Sequence, residues 1–324
     1  MKAVCGGRKK LYSKSQRIKE WLVSLGTDNP LVKLALTLHG RLHHYRITFL
    51  PNGIKIAKNP RAILVRHEHY LLVPMIEQEF DHYFHTIASK PGGEEMLLDF
   101  SKPGAHRYLP SGLELVCPGI PEDESMDAYL HQFKLREGMT VFDVGANAGL
   151  TACFLSREVG PEGKVYAFEP DDINRHYLLE NVRRLGLENV TVLDWAIGAR
   201  NGKVLFHMDG TTTAGLADLA LYPGTGSLKE VQMFTLEECC ARLGCAPDFI
   251  KMDIEGAETG VVRAALEFLK RTPIRFSIES NHPMKDGALT CHELDKLFLS
   301  IGYRVESSDK YGQVFTWAAP GVLD

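Results

Sequence analysis

The stretch "VFDVGANAGLT", Val141 to Thr151, joins a short apolar run to a carboxylate and then to small residues around an asparagine. The run suits a buried strand, and the small residues suit a tight turn into a helix. In a doubly wound α/β sheet the ligand lies outside the carboxyl ends of the strands. Asp143 is then expected at such an end, with Gly145, Ala146, Asn147 and Gly149 in the following turn. Small residues there let a ligand approach the backbone and the helix N-terminus. The plainer alternative is a tight turn with an N-capping acid.

The spacing narrows the ligand. A dinucleotide loop needs G-x-G-x-x-G, whereas here Gly145 and Gly149 stand four apart with Asn147 between them. A carboxylate beside the turn repels a pyrophosphate and favours a cation. S-adenosylmethionine, with an ammonium and a sulfonium, suits that charge pattern.

Downstream, "KVYAFEP", "VTVLDWAIG", "FIKMDIEG" and "IRFSIES" alternate with helical stretches such as "INRHYLLENVRRLG", "LEECCARLG" and "VVRAALEFLK". Short β-runs separated by helices imply parallel strands joined by crossovers. "YRVESS" and "GQVFTWAAP" then read as two closing strands around a turn at Asp309 to Gly312. Glu169, followed by Pro170, ends the second strand, where an acid accepts hydrogen bonds from ribose hydroxyls. An exposed strand-end acid is the bland reading. Asp194 and Trp195 end the third strand. Asp194 could accept from an adenine amino group, and Trp195 could face a ring or simply pack. Asp253, Glu255 and Glu258 crowd the fourth strand end, where the methionyl end of such a ligand, or the substrate, would pass. Glu258 also suits a helix first turn for its dipole alone.

The motifs "DVGANAG", "AFEP", "FTLEE" and "DFIKMDIEGAE", in this order, resemble the FkbM family of S-adenosylmethionine-dependent methyltransferases over about residues 120–320. The resemblance implies an α/β, Rossmann-like, seven-stranded class I methyltransferase sheet with the last strand antiparallel. It also implies methyl transfer, usually to a hydroxyl of a sugar or natural product. "LDWAIG" departs from the family in the bulk of Trp195. Two rivals stand beside this: a non-catalytic S-adenosylmethionine-binding scaffold and a nicotinamide-dependent oxidoreductase. A nucleic-acid amino-methyltransferase is disfavoured, because the fourth strand ends in "DIEG" without an Asn/Asp-Pro-Pro-aromatic run.

A hydroxyl acceptor calls for a general base. Glu255, Glu279 and His282 are the candidates near the strand ends, with His282 and Glu255 taken as the catalytic pair because imidazole titrates near neutral pH. A surface-loop histidine is the alternative. No metal is assigned. Asp253 with Glu279 could reproduce the Mg²⁺ shell of some hydroxyl methyltransferases of this architecture. The histidines His43, His44, His67, His69, His82 and His85 suggest zinc, but no cysteine pattern supports a site.

Residues 1–120 read as a mixed α/β accessory or cap region and 121–324 as the methyltransferase domain. Asn29-Pro30 signals a helix start, "YRITFLPNGIKIA" a hairpin at Pro51-Asn52-Gly53, and Pro74 a helix break. "EMLLDF" and "LELVCPG" read as strands, and "MDAYLHQF" as a helix. The 324 residues are 44% hydrophobic and 24% charged, with net charge −4 and pI near 6.4. That balance lacks the basic stripe of a nucleic-acid binder. The basic cluster Arg8, Lys9, Lys10, Lys14, Arg17 and Lys19 suits a solvated helix face. No apolar run approaches the ~20 residues of a spanning helix, and no apolar segment after Lys10 marks a signal peptide. Seven scattered cysteines form no disulfide framework, so reduced thiols in the cytoplasm are expected. The acceptor is expected to be a small molecule or glycan.

Overall fold

The computed structural model describes residues 25–321 apart from 27, 93–94, 124, 212–213, 220–225 and 285–286. The basic cluster read at residues 8–19 lies outside the described residues. A seven-stranded sheet organises the second half of the chain. Its strands run in the order Val190–Leu193, Lys164–Phe168, Thr140–Val144, Phe249–Met252, Arg275–Glu279, Phe315–Pro320 and Tyr303–Ser308. The first five are mutually parallel. Phe315–Pro320 runs antiparallel to both neighbours, with Ile278 opposite Thr316 and Val305 opposite Ala318. Strand order reverses between Thr140–Val144 and Phe249–Met252, and a doubly wound sheet opens its ligand crevice at such a switch point.

The crossover helices follow from local signals. Asp171 caps Asp172–Leu185 by accepting from the N–H groups of Ile173 and Asn174. Arg183 and Arg184 occupy the last turn, and Gly186 closes it at φ 62°. That is an acid at the start, bases at the end and glycine beyond. Thr235 caps Leu236–Leu243 in the same way. The apolar faces of Leu236–Leu243, Glu258–Arg271 and Thr290–Ser300 bury Cys239, Val261, Phe268, Leu294 and Phe298 against Ile250, Phe276 and Ile278.

Two readings of local structure change. "VTVLDWAIG" is two strands in two sheets: Val190–Leu193 stays in the large sheet, whereas Ala196–Ile197 pairs with Ser227–Phe234. The chain leaves the first sheet at Asp194. "MDAYLHQF" is helical only over Met126–Tyr129. The expected break at Pro74 is present: it stands in the first turn of Val73–Gln78, where its missing N–H costs nothing, after a 3-10 turn at His67–Leu72. Unforeseen altogether is a four-stranded sheet, Ala196–Ile197, Ser227–Phe234, Gly202–Met208 and Gly215–Leu216.

The N-terminal part carries the expected helix Pro30–Leu42, capped by Asn29, and the hairpin Arg46–Leu50 with Gly53–Lys58. They join Arg61–Val65, Glu95–Phe100 and Lys90–Gly92, the strands forming one sheet. A separate hairpin, Gly104–Arg107 with Glu114–Cys117, reaches the methyltransferase half. Asn181 accepts from the Val116 N–H and donates to the carbonyls of Val116 and Ala148, each at 2.9 Å. One apolar cluster therefore runs from Val32 and Ile63 through Phe100 and Leu115 to Ala148, Leu150 and Cys153.

Candidate active site

Beneath the opening motif lies a buried ion pair. Lys251, in the middle of an apolar strand, places Nζ 3.3 Å from Asp143 Oδ1 and donates to the Gly145 carbonyl at 2.6 Å. Thr151 Oγ1 donates to Asp143 Oδ2 at 2.7 Å. Burial alone would lower the lysine pKa, but Asp143, Asp253 and Glu122 around it raise it. Asp143 is thus consumed by the chain itself and does not face the ligand space. The glycine reading changes likewise. A Cβ on Gly145 would sit 1.8 Å from the Asp253 carbonyl oxygen, and one on Gly149 would meet Leu178 at 2.5 Å. These glycines let two strand ends and a helix approach each other.

Above this pair opens a cavity at the carboxyl ends of the strands. Of the residues expected to hold a ligand, Gly145, Asn147, Glu169, Pro170, Trp195 and Asp253 line it. Asp143, Ala146, Gly149 and Asp194 do not. Ala146 is fully buried, and Asp194 is exposed where the chain changes sheets. The contact expected of Asp194 with an adenine therefore falls away, and Trp195 beside it takes the wall, edge-on to Phe234.

The wall carries four carboxylates, Glu122, Glu169, Asp253 and Glu255, and no Lys, Arg or His among the described lining residues. Three side-chain oxygens on it are buried without a hydrogen-bond partner: Glu122 Oε2, Asn174 Oδ1 and Asp253 Oδ1. All three are acceptors. Buried acceptors without partners cost ~1–3 kcal/mol each, so a ligand rich in donors and positive charge fits and a pyrophosphate does not. Glu169 is already fixed: its two oxygens accept from the N–H groups of Asn147 and Asp171, both at 2.8 Å. Each retains a lone pair. Burial, with Asp171 nearby, pushes its carboxyl up to about 8.

Sequence reasoning missed Glu122, Asn174, Phe206, Thr211, Gly215 and Leu216. The last four come from the unforeseen sheet and its loop. Asp171 fixes that loop: its Oδ2 accepts from the N–H groups of Asp209 and Gly210, while Asn174 donates to the Thr211 carbonyl at 3.0 Å. The lysine inside "FIKMD" was the one legible signal, since an unpaired lysine does not enter a buried strand.

The expected catalytic pair separates. Glu255 lines the cavity with φ 54°, a left-handed conformation rare for a side-chain-bearing residue. Asn147, also on the wall, has φ 44°. Strain of this kind clusters at functional sites. His282 is buried behind the Asp253–Ala257 turn and is not on the wall. Its Nδ1 lies 2.9 Å from Glu258 Oε1; its Nε2 lies 3.7 Å from Asp253 and 3.8 Å from Glu255. Burial alone would lower the imidazole pKa, but Glu258, Glu255 and Asp253 hold it well above 6.5. An imidazolium accepts no proton, so this direction speaks against His282 as the base. Burial pushes Glu255 up to about 8, against the pull of His282.

Asp253, Glu258 and His282 bring ligand atoms within 4.8 Å of one another, the one such group among the described residues. Glu258 takes the Nδ1 side of the ring and Asp253 the Nε2 side, so the nearest contacts belong to different nitrogens. That geometry is an ion-paired imidazolium between carboxylates. Glu279 is not in that group; it lies near the Tyr129 hydroxyl at 3.4 Å and within electrostatic reach of Asp253, His282 and Glu255. The N-terminal histidines disperse: His82 pairs with Asp123, and His69 is buried with its pKa lowered to about 4 by burial. No helix among the described residues is long and apolar enough to cross a membrane.

A switch-point cavity walled by carboxylates on a seven-stranded sheet of this order defines a site of the S-adenosylmethionine-dependent methyltransferase class. The chain belongs to the FkbM methyltransferases: residues 143–305, half of its length, match the family's model, described as "Methyltransferase FkbM domain". Its methyl donor is S-adenosylmethionine. The chain is similar to "2-O-methyltransferase NoeI" of Sinorhizobium fredii, 26% identical over 169 residues, covering 46% of this chain and 66% of that protein. It is also similar to "Protein-L-isoaspartate O-methyltransferase" of Methanothermobacter thermautotrophicus, 32% identical over 88 residues, covering 27% and 34%. Among solved structures, an FkbM methyltransferase of Methylobacillus flagellatus KT aligns at 20% identity and TM-score 0.46, covering 60% of this chain and 48% of that one. The chain therefore spans about two thirds of NoeI and about half of the solved FkbM chain.

Proposed function

We propose that this methyltransferase acts on a hydroxyl of a small-molecule or glycan acceptor. The observation that carries the reading is the wall of four carboxylates with Glu255 strained toward the cavity. The donor supplies a sulfonium-bound electrophilic methyl. Glu169 accepts from the ribose hydroxyls with its remaining lone pairs, Asn174 Oδ1 accepts from the adenine amino group, and Trp195 packs on the ring. Asp253 faces the methionyl portion. Glu255, when ionised, takes the acceptor's proton as its oxygen lone pair forms the new C–O bond and the C–S electrons leave on sulfur. The His282 imidazolium stabilises the Glu255 carboxylate, and Glu258 fixes the ring through Nδ1. The 2-O-methyltransferase title of NoeI supports the hydroxyl reading. The absence of Lys and Arg among the described lining residues supports an acceptor that is not a nucleic acid.

Isotope-labelled S-adenosylmethionine, incubated with the full chain and panels of mono- and oligosaccharides and polyketide-type alcohols, tests the reading. Label in a product ether is expected. Label only in nitrogen or carbon acceptors would overturn the hydroxyl assignment.

A further inference from the structure

We propose that Glu122, which lies outside the family-matched residues, is the second carboxylate that holds the α-ammonium of the methionyl portion, opposite Asp253. Resting on the donor assignment above, this gives the N-terminal part a direct role, which is to hold Glu122 against the cavity. Glu122 belongs to the connecting segment "PGIPEDE", not to the sheet. The N-terminal part grips that segment at several points. Arg66 Nη2 donates to the Pro118 carbonyl at 2.6 Å, the Tyr108 hydroxyl donates to the Glu122 carbonyl at 3.1 Å, and His82 pairs with Asp123. Ile120 is buried in the N-terminal core. The backbone is thereby fixed on one side while the side chain faces the cavity on the other.

The surroundings choose the ligand group. Glu122 Oε2 is buried without a hydrogen-bond partner, and so is Asp253 Oδ1 on the same wall, which has only the His282 Nε2 at 3.7 Å. The charged groups that act on Glu122 are Lys251, Asp143, Asp253 and Glu169. Lys251 is engaged by Asp143 and the Gly145 carbonyl, and the His282 imidazolium approaches Asp253 Oδ1 only to 3.7 Å, beyond hydrogen-bond distance, so both acceptors remain open to a ligand donor. Two carboxylates with open acceptors call for a compact cation with several donors. An ammonium has three N–H donors; a sulfonium has none. Glu169, accepting from Asn147 and Asp171, is the acid suited to hydroxyls, so Glu122 and Asp253 are left for the amino acid end.

The test compares two ligands that share a nucleoside and a thioether. S-adenosylhomocysteine carries the α-ammonium, and 5′-methylthioadenosine lacks the amino acid. Calorimetry on wild type and Glu122→Gln should show about tenfold or more loss for S-adenosylhomocysteine and no change for 5′-methylthioadenosine. Tyr108→Phe, which frees the Glu122 carbonyl, should show a smaller loss with the same selectivity. Equal loss on both ligands would make Glu122 a purely structural residue and overturn the proposal, as would unchanged S-adenosylhomocysteine binding. Should Glu122→Gln fail to fold, Tyr108→Phe decides by the same selectivity. Failure of wild type to bind S-adenosylhomocysteine at all would instead overturn the donor assignment beneath it.

Discussion

Lys251 Nζ stands 3.3 Å from Asp143 Oδ1, both side chains essentially inaccessible to water, and bonds at once to the Gly145 carbonyl. One ammonium thus ties the middle of one strand to the motif turn of its neighbour. Burial pushes the Asp143 carboxyl up, and the Lys251 ammonium and the Thr151 hydroxyl pull it back toward the ionised form. Removing one partner leaves an uncompensated charge in the interior. Lys251→Met is expected to cost ~3–5 kcal/mol in urea unfolding. A loss under ~1 kcal/mol would mean that Asp143 is neutral in the fold.

Gly145 answers to the same geometry. It has φ 81°, and a Cβ would fall 1.8 Å from the Asp253 carbonyl oxygen, so backbone must move. Gly145→Ala should destabilise by more than ~1 kcal/mol and weaken S-adenosylhomocysteine binding, because Gly145 and Asp253 both line the cavity. Wild-type stability together with wild-type affinity would contradict the close approach.

Binding should release protons. Burial pushes Glu169, Glu255 and Glu279 up to about 8. A carboxyl raised in the fold holds its proton more tightly there than in the unfolded chain. Its contribution to stability is complete below its ordinary value of 4.5 and is lost as pH rises through about 8. The ligand-free melting temperature should therefore be drawn down by these groups as pH rises from about 4.5 to about 8. A cation on the wall favours the carboxylates, so the ligand-bound profile should be flatter. Near neutral pH, calorimetry of S-adenosylmethionine in buffers of different ionisation enthalpy should report proton release; net uptake would reverse the assigned directions.

Glu255 and His282 make opposite predictions in kinetics. Glu255→Gln should keep S-adenosylhomocysteine affinity within severalfold and lose ~10²–10⁴-fold in turnover. The wild-type rate should climb toward about pH 8 as Glu255 loses its proton. His282→Gln strips the partner from buried Glu258 and should lower stability by ~3 kcal/mol or more, with a shifted pH profile in the folded fraction. Near-normal turnover in Glu255→Gln would leave alignment, not base catalysis, to carry the reaction.

The large sheet was legible because its information is local. Apolar runs, crossover helices capped by Asp171 and Thr235, and strand-end acids follow one another in regular alternation along the chain. The motif from Val141 to Thr151 located the switch point, and Gly145, Asn147, Glu169, Trp195 and Asp253 do line the cavity there. The sheet of Gly202–Met208 and Ser227–Phe234 was not read from the sequence, since its pairing joins distant residues, Gly202 with Met233 and Met208 with Ser227, across a long segment in which the turn signal Asp209-Gly210 is not followed at once by the partner strand.

By itself, then, the chain determined the fold class, the donor and the strand ends at which the cavity opens. Only the tertiary structure decided which polar groups remain open to that ligand. Asp143 and His282 are chemically able to bind or catalyse, but Lys251 and Glu258, each from another element of the fold, engage them first. Glu122 reads as linker and becomes part of the wall because Arg66 and Tyr108 hold its backbone there. Residue type sets what a group can do; the neighbours that fill its lone pairs, fix its proton and exclude water set what it does, and those neighbours are brought in from distant sequence.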